Sequence, residues 1–129
     1  MNMTTPTNKR PTLLIADDSD STRALLSAQL AKPFHIVGLA KDAEEAVEFA
    51  SKHHPAVALI DVDMPNGGAH RAVPEIAQGS PETCIVVLSA DEESQTVVEL
   101  INEGATTYVK KGIPGSELSE ILFRSLSAH

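Results

Sequence analysis

Residues 57–65, VALIDVDMP, form an apolar run that ends in a carboxylate, and this run constrains the fold of the whole chain. A short apolar run that contains β-branched residues and is bounded by turn-forming residues predicts a strand buried on both faces, as in a parallel sheet. Here Pro65 opens the turn-forming sequence Pro-Asn-Gly-Gly. Because an ionised carboxylate inside such a strand would be costly, we expect Asp61 at the carboxyl end of the strand.

Four further segments have the composition of short strands, and the stretches between and after the strands have helical periodicity. The other predicted strands cover residues 12–16, 35–40, 84–89 and 107–109. The predicted helices cover residues 19–31, 43–50, 68–78, 94–103 and 116–127. Strands and helices therefore alternate along the chain.

Turn and cap residues mark the boundaries of these predicted elements. Asp42 and Glu45 have the spacing of a capping box, in which Asp42 accepts from the Glu45 amide and the Glu45 carboxylate reaches back. Gly104 fits the position just after a helix, where glycine caps the carboxyl end. Pro74 lies inside the third helical stretch, where it removes a hydrogen bond and clashes with the preceding turn. We therefore expect that helix to be short, kinked or late-starting.

The alternation predicts an α/β fold, (βα)₅, with a doubly wound, five-stranded parallel sheet. Strands separated by helices of this length need crossover connections, which make the strands parallel and place helices on both faces of the sheet. The carboxyl ends of parallel strands share one edge, and ligands bind along that edge in open α/β sheets. The edge gathers the polar residues that follow the strands: Asp17, Asp18, Asp61, Ser89, and Lys110 or Lys111.

The composition excludes several classes of protein. A chain of 129 residues with 42% hydrophobic residues is expected to form one domain with a core, preceded by a disordered tail at residues 1–11. The net charge of −8 disfavours binding to nucleic acid or to anionic membranes. The single Cys84 rules out an internal disulfide and fits a reducing cytoplasm. No apolar run approaches the ~18 residues that a membrane-spanning helix needs.

The motifs at the predicted strand ends resemble those of a two-component response-regulator receiver domain of the CheY-like superfamily. They are Asp17-Asp18, Asp61-x-x-Met64-Pro65, Ser89-Ala90 and Gly104-Ala105-x-x-Tyr108-x-x-Lys111. The resemblance extends over residues 12–127 and implies a receiver domain at residues 12–129. It also implies a flavodoxin-like receiver fold with strand order 2-1-3-4-5.

The resemblance implies a role for each residue of these motifs. Asp61 is expected to accept a phosphoryl group, while Ser89 donates a hydrogen bond to that group and Lys111 neutralises its charge. Lys111 matches the family lysine better than Lys110 does, because it lies three residues after Tyr108. Tyr108 is expected to act with Ser89 as the switch that reports phosphorylation.

Mg²⁺ is the cofactor that the resemblance implies. Asp18 and Asp61 would be direct ligands, Asp17 would act through water, and the main-chain carbonyl of Asp63 would complete the protein ligands. The physics supports the same site independently, because several carboxylates at close range repel one another. A divalent cation removes that repulsion.

The implied function is Mg²⁺-dependent phosphorylation of Asp61 in a histidine-to-aspartate phosphorelay, with self-catalysed hydrolysis and no enzyme activity beyond it. The implied partners are a cognate sensor histidine kinase or phosphotransfer protein, and a downstream output domain or effector protein. The surface formed by the fourth helix, the fifth strand and the fifth helix would carry the signal and is also where a homodimer would form. Neither nucleic acid nor a membrane is an expected partner of this domain.

Three features depart from the family pattern. Gly112 follows Lys111, where many receivers have proline, so a cis peptide bond to proline cannot form there. Pro74 disturbs the third helix. Asp63 adds a carboxylate two residues after the acceptor, and we expect it to change the lifetime of the phosphoryl group by acting on the attacking water.

Two other functions remain open from the sequence. Asp61-Val62-Asp63 also resembles the nucleophile motif of haloacid-dehalogenase-like phosphatases, although that motif usually lies on the first strand. A pseudo-receiver would use the same fold only to bind other proteins, which would require a disrupted acidic pocket. Turnover of a phosphate ester would support the first, and failure of beryllofluoride and Mg²⁺ to perturb the domain would support the second.

Single residues also have plainer explanations. Asp17-Asp18 would favour the start of a helix through the helix dipole alone. Ser89 and Tyr108 would fit as ordinary strand-end residues. His70 follows the loop after Asp61 and either approaches the site or lies on the surface. In the same way, the neighbouring pair His53-His54 is expected at the surface, and Cys84 is expected to pack as a small apolar residue.

Overall fold

The computed structural model describes residues 10–90 and 95–129, in which five strands alternate with five helices. The elements are β1 (Thr12–Ala16), α1 (Asp20–Leu30), β2 (His35–Ala40), α2 (Ala43–His53), β3 (Val57–Asp61), α3 (Gly68–Gly79), β4 (Cys84–Ser89), α4 (Gln95–Glu103), β5 (Thr107–Lys110) and α5 (Gly115–Ala128). Most of the predicted tail, residues 1–9, and the predicted start of the fourth helix at Ser94 lie outside the described residues.

The five strands form one parallel sheet in the order β2-β1-β3-β4-β5. The predicted fold class and strand order are therefore confirmed. β3 lies at the centre of the sheet, and all five of its residues are buried, as its apolar run predicted. In the described part of the chain, no helix combines the length and apolar character needed to cross a bilayer.

The strand registers bring the carboxyl ends of the strands to the same level. Ala16, the last residue of β1, lies beside Ile60 of β3, and Asp61 lies beside Leu88 of β4. On the other side of β4, Ser89 lies beside Lys110. The residues that follow β1, β3 and β5 therefore emerge next to one another along one edge of the sheet.

The core consists of two apolar layers, one on each face of the sheet. Because successive strand residues point to opposite faces, Leu14 and Ile60 belong to one layer, and Leu13 and Leu59 to the other. The first layer is completed by buried residues of α2, α3 and α4, and the second by buried residues of α1 and α5. These layers fix the sheet edge as a rigid support for the loops above it.

Helix α3 runs through Pro74 for 12 residues, from Gly68 to Gly79. The predictions of a short or late-starting helix are therefore wrong. Pro74 cannot donate to the carbonyl of His70, four residues earlier, but His70 is exposed, so water can satisfy that carbonyl. The apolar face of the helix, which is buried in the core, offsets the lost hydrogen bond: Ala69, Ala72, Val73 and Ile76.

The loop after β3 is tied to the start of α2. Asp42 caps α2 by accepting from the Glu45 amide at 2.8 Å, as predicted, but the Glu45 carboxylate accepts from the Lys41 amide at 3.0 Å rather than from the cap residue. The second oxygen of Asp42 accepts from the side-chain amide of Asn66 at 2.9 Å. Asn66 has a positive φ of 62°, and this contact holds it in that conformation. The capping residue thus also fixes the loop that follows the phosphoacceptor candidate.

Gly104 ends α4 as predicted, and its replacement by alanine tests the packing of α4 against α3. Its φ is +132°, and an added Cβ would lie 2.8 Å from the Cβ of Ala77. We expect Gly104→Ala to lower the free energy of unfolding by about 2–3 kcal/mol, because backbone strain and overpacking act together. Urea unfolding followed by circular dichroism measures the change.

Gly79 provides the matched control for this substitution. It has no atom within 4 Å of an added Cβ and no positive φ. Gly79→Ala is expected to be neutral or to stabilise the protein by up to about 1 kcal/mol, since alanine restricts the unfolded chain. Equal losses of stability in the two variants would contradict the steric explanation for Gly104.

Candidate functional site

Asp17 and Asp18 follow β1 and form the first part of the site. The Asp17 side chain is buried, and its Oδ1 accepts a hydrogen bond from the Ser19 amide at 2.9 Å. Its Oδ2 is buried and has no hydrogen-bond partner among the described residues. Asp18 is exposed. Since a buried, unpaired carboxylate oxygen is costly, Asp17 Oδ2 indicates a partner that is external to the protein.

Asp61 ends β3 and forms an ion pair with Lys111. The Asp61 side chain is 1% exposed, and its Oδ1 lies 2.7 Å from Nζ of Lys111, which is 37% exposed. The amide of Asp63 also lies 3.4 Å from the same oxygen, which makes a weak hydrogen bond. Lys111 directly follows β5, and its amide donates to the carbonyl of Ser89 at 2.9 Å. That backbone contact anchors the lysine to the carboxyl end of β4, the strand next to β3.

Three carboxylates converge between β1 and β3. Asp17, Asp18 and Asp61 each offer one oxygen, and these oxygens all lie within 4.8 Å of one another. Oxygen ligands of this charge suit Mg²⁺, and Asp17 Oδ2 has the unsatisfied character expected of a group that interacts with a cation or its water. The residues therefore fit the predicted cation. That the main-chain carbonyl of Asp63 also binds the cation stays a prediction.

Burial and the neighbouring charges shift the pKa values of the two paired groups. Burial raises the pKa of Asp61, Lys111 opposes this effect, and the neighbouring Asp17 carboxylate adds to it, so the pKa lies above its ordinary value. Burial by itself would lower the pKa of Lys111, but the hydrogen bond and the charge of Asp61 outweigh that effect and raise it. Lys111 is therefore a firmly protonated ammonium beside a carboxylate that burial disfavours.

Ser89 and Tyr108 lie on β4 and β5 beside this site. Ser89 is buried at the carboxyl end of β4, one residue beyond the position that pairs with Asp61. Tyr108 pairs with Val87 and is half-buried against the layer formed by α2, α3 and α4. Lys110 is exposed. The structure thus brings Ser89 to the carboxyl edge next to Lys111 and places Tyr108 farther down the edge strand, against the core.

His70 lines an open cleft next to the acidic cluster. The cleft has a volume of about 540 Å³ and is also lined by Asp18 and Asp63. His70 therefore lies near the site, and its ring nitrogens lie 3.6 Å and 3.4 Å from carboxylate oxygens of Glu99 and Glu103 on α4. His70 therefore bridges α3 and α4 and directs its ring nitrogens toward Glu99 and Glu103 rather than toward the cluster.

The remaining histidines of interest and the cysteine lie away from the cluster. The ring of His54 contacts Ser80 and Glu82, which lie after α3. His53 is exposed, as expected for the pair. Cys84 is fully buried in the core layer of α1 and α5, as predicted. Burial raises the pKa of its thiol, so Cys84 is a packing residue and not a nucleophile.

Arg23 is a residue of the site that the sequence analysis missed. It lies on α1, its side chain is 15% exposed, and its Nη1 donates to the main-chain carbonyl of Asp17 at 2.6 Å. Its Nη2 pairs with the exposed carboxylate of Asp20. The only signal in the sequence is the position of Arg23, five residues after Asp18 and within the first turns of the predicted helix.

Comparisons with known proteins agree with this geometry. A family model, the response regulator receiver domain, matches residues 13–123. Regulatory protein AtoC of Escherichia coli is 32% identical over 114 residues, which cover 88% of this chain and 25% of AtoC. Curated relatives of this kind are longer, and the chain spans between 25% and 60% of their length.

Solved structures agree in fold. The signal receiver domain assigned to the response regulator NarL of Mycobacterium tuberculosis has a TM-score of 0.88 at 22% identity, covering 94% of this chain and 99% of that one. A chain of the CheX–CheY–BeF₃–Mg²⁺ complex of Borrelia burgdorferi has a TM-score of 0.81 at 25% identity, covering 95% of this chain and 92% of that one. The chain belongs to the response regulator receiver domain family.

Proposed function

We propose that Asp61 accepts a phosphoryl group from a sensor histidine kinase or a phosphotransfer protein, and that this event controls an output domain or effector protein. One observation carries the proposal: a buried carboxylate lies 2.7 Å from an ammonium and within 4.8 Å of two further carboxylates. Perturbed, charge-paired groups of this kind are typical of functional sites. Asp61 also lies at the carboxyl edge of the central strand, which is where ligands bind in open α/β sheets.

The chemistry is an attack by a carboxylate oxygen of Asp61 on phosphorus. The new bond is an acyl phosphate, and the bond from phosphorus to the donor nitrogen or oxygen breaks. Because the transferred group has a loose transition state, placement and charge neutralisation do most of the catalysis. The Lys111 ammonium neutralises charge on the phosphoryl oxygens. Water later attacks phosphorus, the bond to the Asp61 oxygen breaks, and inorganic phosphate leaves as the carboxylate is restored.

Asp18, Asp61 and the main-chain carbonyl of Asp63 would hold Mg²⁺ directly, with Asp17 acting through water, and the ion would add positive charge beside the phosphoryl oxygens. The carboxylates of this chain select a hard, oxygen-binding cation and lose part of their mutual repulsion when it binds. The Borrelia burgdorferi relative supports this choice, since its complex contains BeF₃ and Mg²⁺.

The signal would pass through Ser89 and Tyr108. A phosphoryl group on Asp61 adds acceptor oxygens that the Ser89 hydroxyl can bond by moving toward them. Tyr108, which is half-buried on the edge strand, can then change its packing and with it the surface of α4, β5 and α5. The change is a shift in population between two arrangements, and a partner or a second copy of the chain would read it.

Treatment with acetyl phosphate and Mg²⁺ tests the proposal. Mass spectrometry of the intact protein is expected to show the addition of one phosphoryl group, and chelation of Mg²⁺ by EDTA before treatment is expected to prevent it. Phosphorylation that persists at full rate without divalent cations would contradict the metal site, and no adduct under either condition would contradict the function.

Asp63 is proposed to control how long the phosphoryl group persists. Its exposed carboxylate lies two residues after the acceptor, and its negative charge is close enough to raise the pKa of Lys111. We expect Asp63→Ala to slow hydrolysis of the acyl phosphate by about three- to tenfold, less than for a buried general base, because Asp63 is solvated.

The decay of labelled phosphoprotein after removal of the donor measures this effect. Asp63→Asn keeps the size of the side chain but cannot act as a base, so it is expected to decay as slowly as Asp63→Ala. Equal decay rates in the wild type and both variants would count against a role of Asp63 in water attack.

A further inference from the structure

Arg23 is a mostly buried cation that lies beside the acidic cluster but binds the loop backbone. Its Nη1 donates to the main-chain carbonyl of Asp17 at 2.6 Å, and its Nη2 pairs with the carboxylate of Asp20. Neither partner is one of the three clustered carboxylates. The guanidinium therefore binds the backbone of Asp17 and the first residue of α1. It does not neutralise the clustered carboxylates, whose charge stays available to a cation.

The two arms of the guanidinium lie in different environments. The Arg23 side chain is 15% exposed, whereas that of Asp20 is 94% exposed. A surface ion pair contributes little, since water and salt screen it. The hydrogen bond to the Asp17 carbonyl is the partly buried one, and a planar guanidinium can make it while holding a second acceptor in a fixed direction. The carbonyl contact is therefore the one that matters for the loop.

Asp17 is held at three points by its surroundings. Its amide donates to the carbonyl of Ala40 at 3.0 Å, its carbonyl accepts from Arg23, and its Oδ1 accepts from the amide of Ser19. The remaining oxygen, Oδ2, is buried without a hydrogen-bond partner in the described part of the chain. Together these contacts fix the direction of Oδ2 and hold the backbone that leads into Asp18.

We propose that Arg23 is a positioning residue for the cation site, which it orders by fixing the backbone that carries Asp17 and Asp18. The inference rests on the proposed function, because it assumes that the cluster binds Mg²⁺. Groups that orient metal ligands typically change metal affinity by about 10- to 100-fold when they are removed. Arg23 would act in this way through a backbone carbonyl rather than through a ligand side chain.

The direction of the effect separates positioning from simple electrostatics. A positive charge near the cluster repels a divalent cation, so loss of that charge alone would strengthen Mg²⁺ binding. Loss of the positioning contact would weaken it. Arg23→Gln removes both the charge and the guanidinium. Arg23→Lys keeps the charge, but its shorter side chain ends in a compact ammonium that does not place a donor where Nη1 meets the Asp17 carbonyl.

Isothermal titration of Mg²⁺ into the full chain, without any phosphoryl donor, tests the inference. Arg23→Gln is expected to bind Mg²⁺ about tenfold more weakly than the wild type, and Arg23→Lys is also expected to bind more weakly. Asp20→Asn is the matched control: it removes the charge of the exposed partner, leaves the contact to the Asp17 carbonyl in place, and is expected to bind Mg²⁺ as the wild type does. The rise in unfolding temperature that Mg²⁺ causes should follow the same order.

Unchanged or tighter Mg²⁺ binding in Arg23→Gln and Arg23→Lys would overturn the inference, while leaving the metal site intact. An equal loss of affinity in Asp20→Asn would also overturn it, because the exposed arm would then be the important one. Absence of Mg²⁺ binding in the wild type would instead contradict the proposed function. If Arg23→Gln does not fold, Arg23→Lys decides the question, since its charge is unchanged.

Discussion

Replacement of Asp61 by asparagine is expected to abolish phosphorylation of the protein. The asparagine side chain would keep the shape of the aspartate but would lack the anionic oxygen that attacks phosphorus, so no acyl phosphate could form. After treatment with acetyl phosphate and Mg²⁺, the intact mass of the variant should equal that of the untreated protein. A phosphoryl adduct on the variant, at the rate of the wild type, would show that another residue is the acceptor.

The same substitution is expected to stabilise the folded protein at neutral pH. Burial raises the pKa of Asp61 above its ordinary value of 3.8, so the folded state holds this proton at pH values where the unfolded state has lost it. Stability therefore falls as pH rises from that ordinary value through the pKa of the folded state. An asparagine has no such dependence.

The stabilisation should appear as a rise of a few degrees in the unfolding temperature, since about 1 kcal/mol corresponds to ~4 °C in a domain of this size. The Lys111 charge that remains is 37% exposed and can be solvated, so loss of its partner does not strand a buried cation. Thermal unfolding of both proteins between acidic and neutral pH measures the effect. A variant less stable than the wild type at neutral pH would mean that the ion pair outweighs the burial of Asp61.

Topology explains why the sequence revealed so much of this site. Once alternation had shown that the strands are parallel, Asp17, Asp61 and Lys111 had to emerge at the same edge, because each lies at or directly after the end of a strand. Their proximity needed no knowledge of side-chain packing. The 2.7 Å contact between Asp61 and Lys111 joins residues that lie far apart in the sequence, and strand order alone makes it reachable.

Side-chain placement within helices and loops could not be predicted in the same way. Arg23 reaches back to the Asp17 carbonyl from the first turns of α1, and no pattern of residue types in the sequence indicates the direction of that side chain. Pro74 was expected to shorten α3, but burial of the helix face against the core outweighed one lost hydrogen bond. For Pro74, tertiary packing decided the outcome.

The family match bears differently on the two alternative functions, a phosphatase and a pseudo-receiver. The family match over residues 13–123 contradicts a haloacid-dehalogenase-like phosphatase, because Asp61 and Asp63 lie at the end of the central strand of a receiver fold. A pseudo-receiver shares the fold, so the family match does not exclude it. The converging carboxylates and the Lys111 ion pair are the features that such a module would not need. Binding of beryllofluoride with Mg²⁺ would distinguish a phosphoacceptor receiver from a pseudo-receiver.

Replacement of Lys111 by methionine is expected to slow phosphorylation by acetyl phosphate by about 10²–10³-fold, the usual loss when one preorganised charge donor is removed. Methionine keeps an unbranched side chain of similar length but carries no charge. Lys110 is the matched control, because it is adjacent and exposed, whereas the ion pair with Asp61 belongs to Lys111. Lys110→Met is expected to react at nearly the rate of the wild type.

The pH dependence of the reaction provides a second test of Lys111. Burial would lower its pKa, but the hydrogen bond and charge of Asp61 outweigh burial, so the pKa lies above 10.5 and the ammonium persists through neutral and moderately alkaline pH. The stability that the ion pair contributes is therefore fully present below the pKa of Lys111 in the unfolded chain. It is lost as pH rises through the pKa of Lys111 in the folded protein. The wild-type rate should therefore not decline between about pH 7 and 10. A decline in that range in the wild type that Lys111→Met lacks would mean that the lysine loses its proton early and that the ion pair is weaker than its geometry indicates.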